Sequence, residues 1–190
     1  MAALFASIVA VDAPSDSMTF KDYEEIAFLK VPFGWVRLHG LHHRLCGLEL
    51  LPSDAVEQDV SPLKSPALLE AAAELMRYFD NPSVRFTLPD MSAGTLFQQR
   101  VWNALSLIPP GRVESYGGLA RMAGGGPRAL AAACKANRFP IIIPCHRAVA
   151  LNGLGGFCGQ RNGPMLDIKR WLLLHEGYSI GATSDGDQRG

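Results

Sequence analysis

The sequence changes character at residues 88–94, Leu-Pro-Asp-Met-Ser-Ala-Gly. Ahead of that stretch, short apolar, β-branched or aromatic segments occupy 24–30, 33–39 and 45–51. Pro32-Phe33-Gly34 and the interval from Gly40 to Arg44 separate them as turns, the pattern of a small antiparallel sheet. Pro66 to Phe79 places Leu68, Leu69, Ala72, Leu75, Met76 and Phe79 at helical spacing, with Ser65 as the expected N-cap. A further strand is expected at 83–88. Beyond the linker the period is helical. Thr95 to Leu107 puts Phe97, Val101, Leu105 and Ile108 on one face, and Pro109-Pro110-Gly111 stops it. Ser115 is expected to cap a helix over 116–123, with Leu119 and Met122 on its inner side. Gly124-Gly125-Gly126-Pro127 breaks that helix before an alanine-rich one from Arg128 to Asn137. A helix, a glycine turn and a small-residue helix read as a helix-turn-helix. Leu166 to Glu176 forms the last helix, ended by Gly177.

The expected fold class is therefore an α/β N-terminal domain (a small antiparallel sheet plus a helix) followed by a mainly α helix-turn-helix domain. We place the first at 1–92, opening on a loose segment over 1–20. The second is at 93–178, and 179–190 is expected to be a disordered tail. No internal repeat is present.

Net charge over the 190 residues is zero, which does not mark an overtly basic nucleic-acid binder. The halves differ, however. Residues 1–94 hold 7 Lys/Arg against 13 Asp/Glu, a net −6, and residues 95–190 hold 11 against 5, a net +6. A basic second half is suited to meeting a polyanion. The four cysteines, Cys46, Cys134, Cys145 and Cys158, form no C-x-x-C pair. The apolar stretch from Ala2 to Val11 lacks a basic leader, and no run approaches the ~20 apolar residues of a membrane span. A reducing cytoplasmic setting with free thiols is the expectation, nuclear in a eukaryote.

The segment carrying the most chemistry is Ile141-Ile142-Ile143-Pro144-Cys145-His146-Arg147, read as a short buried strand that delivers a cysteine followed at once by a histidine. A thiol reacts as its thiolate, so it needs a base or a positive field nearby. His146 supplies the first, and Glu176, about 30 residues on, can orient it as carboxylates do in catalytic triads.

Several blocks in order carry a resemblance. They are Ser115-Tyr116-Gly117-Gly118-Leu119-Ala120, Arg128-Ala129-Leu130, Asn137-Arg138-Phe139-Pro140, Pro144-Cys145-His146-Arg147-Ala148-Val149, Gly155-Gly156-Phe157 and Lys169-Arg170-Trp171 through Gly177. Over about 95–178 the chain resembles the O6-alkylguanine-DNA alkyltransferases, the methylated-DNA–protein-cysteine methyltransferases. Over 20–94 the likeness is only in size and coarse pattern. The resemblance implies a ribonuclease H-like N-terminal domain and a DNA repair activity without a cofactor or metal. The partner would be double-stranded DNA containing O6-alkylguanine, with O4-alkylthymine as a secondary substrate, met by a monomer that can bind cooperatively.

Residue roles follow from the same resemblance. Cys145 would displace the alkyl group from guanine O6 and keep it as a thioether, once per molecule. His146 would act as its base through a water, and Glu176 would hold His146. Tyr116 would donate to the leaving base, and Asn137 would tie the recognition helix to the active-site turn. The base must leave the duplex to be reached. Arg128 would fill its place in the stack, with Ala129, Ala131 and Ala132 letting the helix lie close in a minor groove. Ser115, Lys135 and Arg138 are candidate phosphate contacts. Pro144, Arg147, Ala148, Val149, Phe157 and Cys158 would form the guanine pocket, with Arg147 also bracing the turn. His175 would be structural or at the surface.

The sequence also departs from the family pattern. The turn at Gly124 to Pro127 is two residues shorter, Gly117-Gly118 replaces larger polar residues, and Phe157 stands where tyrosine is usual. Gln160 to Pro164 lengthens the loop after the pocket. His39, His42, His43 and Cys46 do not match the zinc-ligand pattern of some members. A damage-binding module without transfer, and a cysteine hydrolase using Cys145, His146 and Glu176, are the competing readings. The retained Cys145 opposes the first, and the lack of a marked oxyanion hole opposes the second.

Overall fold

The computed structural model describes residues 8–10, 25–41, 44–55, 61–62, 65–86 and 94–180. The first part is built on a five-stranded antiparallel sheet of order β4-β3-β2-β1-β5, with β1 Ile8–Ala10, β2 Glu25–Val31, β3 Gly34–Leu41, β4 Arg44–Pro52 and β5 Ser61–Pro62. Three of these strands were expected. The sheet also takes in Ile8–Ala10, within a segment expected to be loose, because its backbone pairs with both β2 and β5. The β2–β3 hairpin closes with Val31 opposite Gly34. Gly34 has φ +143, and a Cβ there would run into the Leu51 carbonyl, so the tight turn requires glycine.

Alternation along the strands sends Ala27, Leu29 and Val31 from β2, Val36 and Leu38 from β3, and Leu48 and Leu50 from β4 into the core. Helix α1, Pro66–Asp80, packs across β2, β3 and β4 and buries Leu68, Ala72, Leu75 and Tyr78. Each fully buried leucine contributes about 1.5–3 kcal/mol. Ser65 stands at the N-cap but makes no capping bond; Pro66 at N1 presets the turn instead. Residues 83–86 form no strand: Val84 N–H bonds back to Asn81 O in a turn. Residues 88–93 of the expected linker, 88–94, lie outside the described residues, as do 181–190 of the expected tail.

The second part is helical. Thr95 closes a capping box with Gln98 at the start of α2, Leu96–Ser106. Helices α3, Tyr116–Ala123, and α4, Pro127–Lys135, pack on α2 and on each other. Gly124, left-handed at φ +72, ends α3. The buried stripe of α3 is Leu119, Ala120 and Ala123, so Met122 falls off it and is 64% exposed, against expectation. The α4 boundaries shift by one at the start and two at the end, because Pro127 fits the first helical position and the C-cap is Ala136.

Phe139–Ile143 is not a strand. Ile143 N–H bonds to Phe139 O, and Ile141 takes φ +77, so the run folds on itself. A short apolar run signals burial on every side without specifying pairing. It leads into a 3-10 turn over Cys145–Arg147, then β7, Ala148–Val149, which pairs in parallel with β6, Glu114–Ser115. Helix α5, Pro164–His175, contacts both that turn and β4. None of the described helices is long and apolar enough to cross a membrane.

Candidate active site

The site forms where four segments meet: the end of α4, the 3-10 turn, the loop 154–161 and the end of α5. Asn137 organises the first two. Its Nδ2 donates to Ile143 O at 2.8 Å and to Cys145 Sγ at 3.3 Å, while its Oδ1 accepts from Phe139 N–H at 2.9 Å. Asn137 therefore fixes the turn and solvates the sulfur with one side chain. It is not the C-cap.

Cys145 is 4% exposed. Hydrogen bonding from the Cys158 thiol holds the Cys145 thiol below its ordinary pKa; burial opposes this, and Asn137 and the Lys169 ammonium assist. The Lys169 side chain is fully buried, donating to Ala148 O at 2.7 Å, Leu154 O at 2.6 Å and Gly156 O at 3.0 Å. Burial lowers it to about 8, against the pull of the three neighbouring sulfurs of Cys145, Cys134 and Cys158. Lys169 thus pins the pocket loop and brings positive charge to Cys145. Sequence reasoning assigned it no role. The available signal was a lysine on the inner stripe of α5 among Met165, Ile168, Leu172 and Leu173.

The histidine is held from the other side. His146 is fully buried, and its Nε2 lies 2.8 Å from Glu176 Oε1. Glu176 also accepts from Arg147 Nε at 2.9 Å and Arg147 Nη2 at 2.8 Å, and from Tyr78 Oη at 2.8 Å. Burial opposes ionisation of Glu176, but His146 and Arg147 outweigh it and bring the carboxyl down to about 2. An ionised Glu176 requires Nε2 to carry the proton. Nδ1, buried and without a protein partner, then presents a lone pair. Burial keeps His146 below its ordinary pKa, against the pull of Glu176, so the ring is a neutral base.

Arg147, expected in the guanine pocket, is turned to Glu176 and the Ile108 carbonyl instead. Tyr78, which comes from α1, was missed altogether. Its hydroxyl joins the sheet-and-helix part to the Glu176 network. His175, expected to be structural, meets Tyr78 O through Nε2 at 3.0 Å and stacks on Trp171 at 4.8 Å between centroids.

A cavity of about 930 Å³ opens in front of Cys145. Tyr116, Phe157 and Cys158 line it as expected; Pro144, Arg147, Ala148 and Val149 do not. Pro144 and Ala148 are buried behind it, and Ala148 and Val149 are committed to β7. The Tyr116 hydroxyl donates to Gly156 O at 2.9 Å. Burial raises its pKa, so it remains a proton carrier. Arg128, Ala131, Ala132 and Lys135 form another wall. With Ala129 they make up the exposed side of α4, whose buried side is Leu130 and Ala133. Arg161 and Arg170, unassigned from sequence, complete a rim whose lining includes four cations and no carboxylate. Ser115 caps α3 through Gly118 N–H and bonds Glu114, and the exposed Arg138 gives its carbonyl to Leu48 N–H.

Within the described residues no three His, Cys, Asp or Glu side chains are grouped to hold a metal ion. His39 is buried in the sheet, and His42 and His43 lie outside the described residues.

Residues 96–178 match the family described as 6-O-methylguanine DNA methyltransferase, DNA binding domain. The constitutive methylated-DNA–protein-cysteine methyltransferase of Bacillus subtilis is 35% identical over 79% of this chain and 93% of its own length. The chain belongs to the methylated-DNA–protein-cysteine methyltransferase family. The Shigella flexneri methyltransferase is 43% identical over 56% of this chain, but only 62% of its own length is spanned. A crystal structure of Mycobacterium tuberculosis OGT in complex with DNA is similar to this fold with a TM-score of 0.61. It is 32% identical, over 79% of this chain and 91% of that one. Against this methyltransferase family, the cavity, the thiol and the His146–Glu176 pair fall within the matched region, whereas Tyr78 lies outside it.

Proposed function

We propose that this protein repairs double-stranded DNA by taking the alkyl group from guanine O6 onto Cys145, irreversibly and once per molecule. The observation that carries this reading is that an activated thiol opens into a cavity walled by the exposed, small-residue side of α4. The repaired nucleotide is flipped out of the duplex into that cavity. Arg128 takes its place in the stack, and Ala129, Ala131 and Ala132 allow α4 to approach the minor groove. Lys135, Arg138, Arg161 and Arg170 meet phosphates, and Ser115 positions the start of α3.

Before attack, His146 Nδ1 draws the Cys145 proton away through a water. The Nε2–H bond to the ionised Glu176, itself held in place by Arg147 and Tyr78, stabilises the imidazolium that results. The thiolate then attacks the alkyl carbon. The S–C bond forms as the C–O6 bond breaks, and its electron pair passes to the guanine ring. Tyr116 offers the proton or hydrogen bond that the leaving guanine needs. Phe157 and the walls of the cavity hold the ring. In this reading the chain has two domains, divided near residue 92, the first ribonuclease H-like. It acts as a monomer in the cytoplasm, or in the nucleus of a eukaryote, and O4-alkylthymine is a secondary substrate.

The test uses a duplex carrying one O6-methylguanine with a labelled methyl. The wild-type protein should retain the label, and Cys145→Ala should bind the duplex but retain none. Label on the Cys145→Ala protein would end the assignment, and binding without transfer by the wild-type protein would make it a damage-recognition module.

A further inference from the structure

Three of the four cysteines, Cys134, Cys145 and Cys158, line the same cavity, and all are free thiols. They differ in setting. Cys145 is buried at the floor and activated by its neighbours. Cys134 is in α4, whose backbone is locked to α2 by Trp102 Nε1 bonding Ala133 O at 2.9 Å. Burial and the charge of Cys145 push the Cys134 thiol up to about 12. Cys158 belongs to an exposed turn closed by Phe157 and Gln160, each donating its N–H to the other's carbonyl. Its backbone is left-handed at φ +46, and Gly155, Gly156 and Gly159 flank it. Although the residue is exposed, it lines the same cavity as Cys145, and its thiol helps to hold the Cys145 thiol down. The cavity thus pairs one activated thiol with a second that is accessible, carried on a glycine-flanked turn rather than on a locked helix as Cys134 is.

We propose that Cys145 and Cys158 are a modification site for hydroperoxides, closing to a reversible disulfide with Cys158 as the resolving thiol. The Cys145 thiolate attacks one peroxide oxygen. An S–O bond forms, the O–O bond breaks, and the departing hydroxide takes up the proton that the thiol released. The Cys158 sulfur then attacks the Cys145 sulfenic acid. The S–S bond forms, the S–O bond breaks, and the leaving oxygen departs as water with the Cys158 proton. Two thiols have lost two electrons, and hydrogen peroxide has become two waters. The closed pair blocks the cavity floor, and thiol reductants reopen it. Oxidation thereby stops short of the irreversible sulfinic acid.

The test needs no DNA, so its outcome is independent of the proposed transfer. The full chain is treated with hydrogen peroxide, its remaining thiols are alkylated, and intact mass and non-reduced peptides are read. One disulfide joining Cys145 to Cys158 is expected, with Cys46 and Cys134 still alkylated and dithiothreitol restoring all four thiols. In Cys158→Ser and Cys158→Ala, the same treatment should carry Cys145 to the sulfinic acid, which dithiothreitol does not reverse. Sulfinic Cys145 beside a free Cys158 in the wild-type protein would overturn the proposal, as would a disulfide to Cys134.

Discussion

Removing a single oxygen from Tyr78 tests whether the sheet-and-helix part supports the reactive centre. Tyr78→Phe keeps the ring that α1 buries against Phe79 and His175, so no cavity opens. What disappears is one donor, 2.8 Å from Glu176 Oε1, at a fully buried site. Hydrogen bonds to charged groups contribute about 1.5–3 kcal/mol net. Glu176 retains His146 and both Arg147 bonds, so the carboxylate stays ionised and the lower half of that range, about 1.5–2 kcal/mol, is expected. For a chain of this size that lowers Tm by roughly 3–8 °C. Urea unfolding followed by circular dichroism should show a reduced midpoint with an unchanged slope. The transfer rate should fall by less than tenfold, because His146 keeps its partner. A stability change below about 0.5 kcal/mol would refute the claim that Tyr78 is a working part of the Glu176 network.

Other outcomes follow from the same contacts. Glu176 titrates near 2 in the folded chain against an ordinary 4.5, so the unfolded chain binds the extra proton between these values. Stability present above pH 4.5 is lost as pH falls toward 2, by about 3 kcal/mol for this group, measurable by urea titration across that window. His146, lowered by burial, acts in the same direction below its ordinary value of 6.5, and Glu176→Gln should flatten the acid limb. Asn137→Ala removes the donors to Cys145 Sγ and Ile143 O. It should cost about 1–3 kcal/mol and move the pH profile of iodoacetamide alkylation at Cys145 upward; an unmoved profile would contradict its role at the sulfur. Arg128→Ala should weaken binding to lesion-containing duplex more than to plain duplex, since only flipping requires the stack to be filled; equal losses would reduce Arg128 to a phosphate contact.

Periodicity and punctuation made the elements legible. The helical stripes of α1 and α2, the capping serine at 115, and the glycine turn at 124–126 each state a local preference that packing then accepts. Elements lacking a local signal were missed. Ile8–Ala10 joins the sheet only because β2 and β5 stand ready to pair with it. The isoleucine run at 141–143 reads as a strand by composition, yet it is buried by surrounding segments and turns at Ile141. Met122 and Leu119 are three apart and share a helical face in the abstract. Ala120 and Ala123 set the actual contact line. At the site, Cys145, His146, Asn137 and Glu176 were legible because their chemistry and order are specific. Arg147 and Lys169 stood in the motifs, but their partners are backbone carbonyls and a carboxylate brought together only by folding. Tyr78 bonds Glu176 across 98 residues, a separation at which no local pattern reports.

Everything turns on whether the Cys145 sulfur is where the alkyl group ends. Intact mass and peptide mapping, after incubation with excess duplex containing one O6-methylguanine, read this directly. The expected result is a gain of one methyl group per chain, confined to the peptide bearing Cys145, unchanged by further substrate or by dithiothreitol. A methyl group on Cys134 or Cys158 with Cys145 unmodified, or more than one methyl group per chain, would contradict the account.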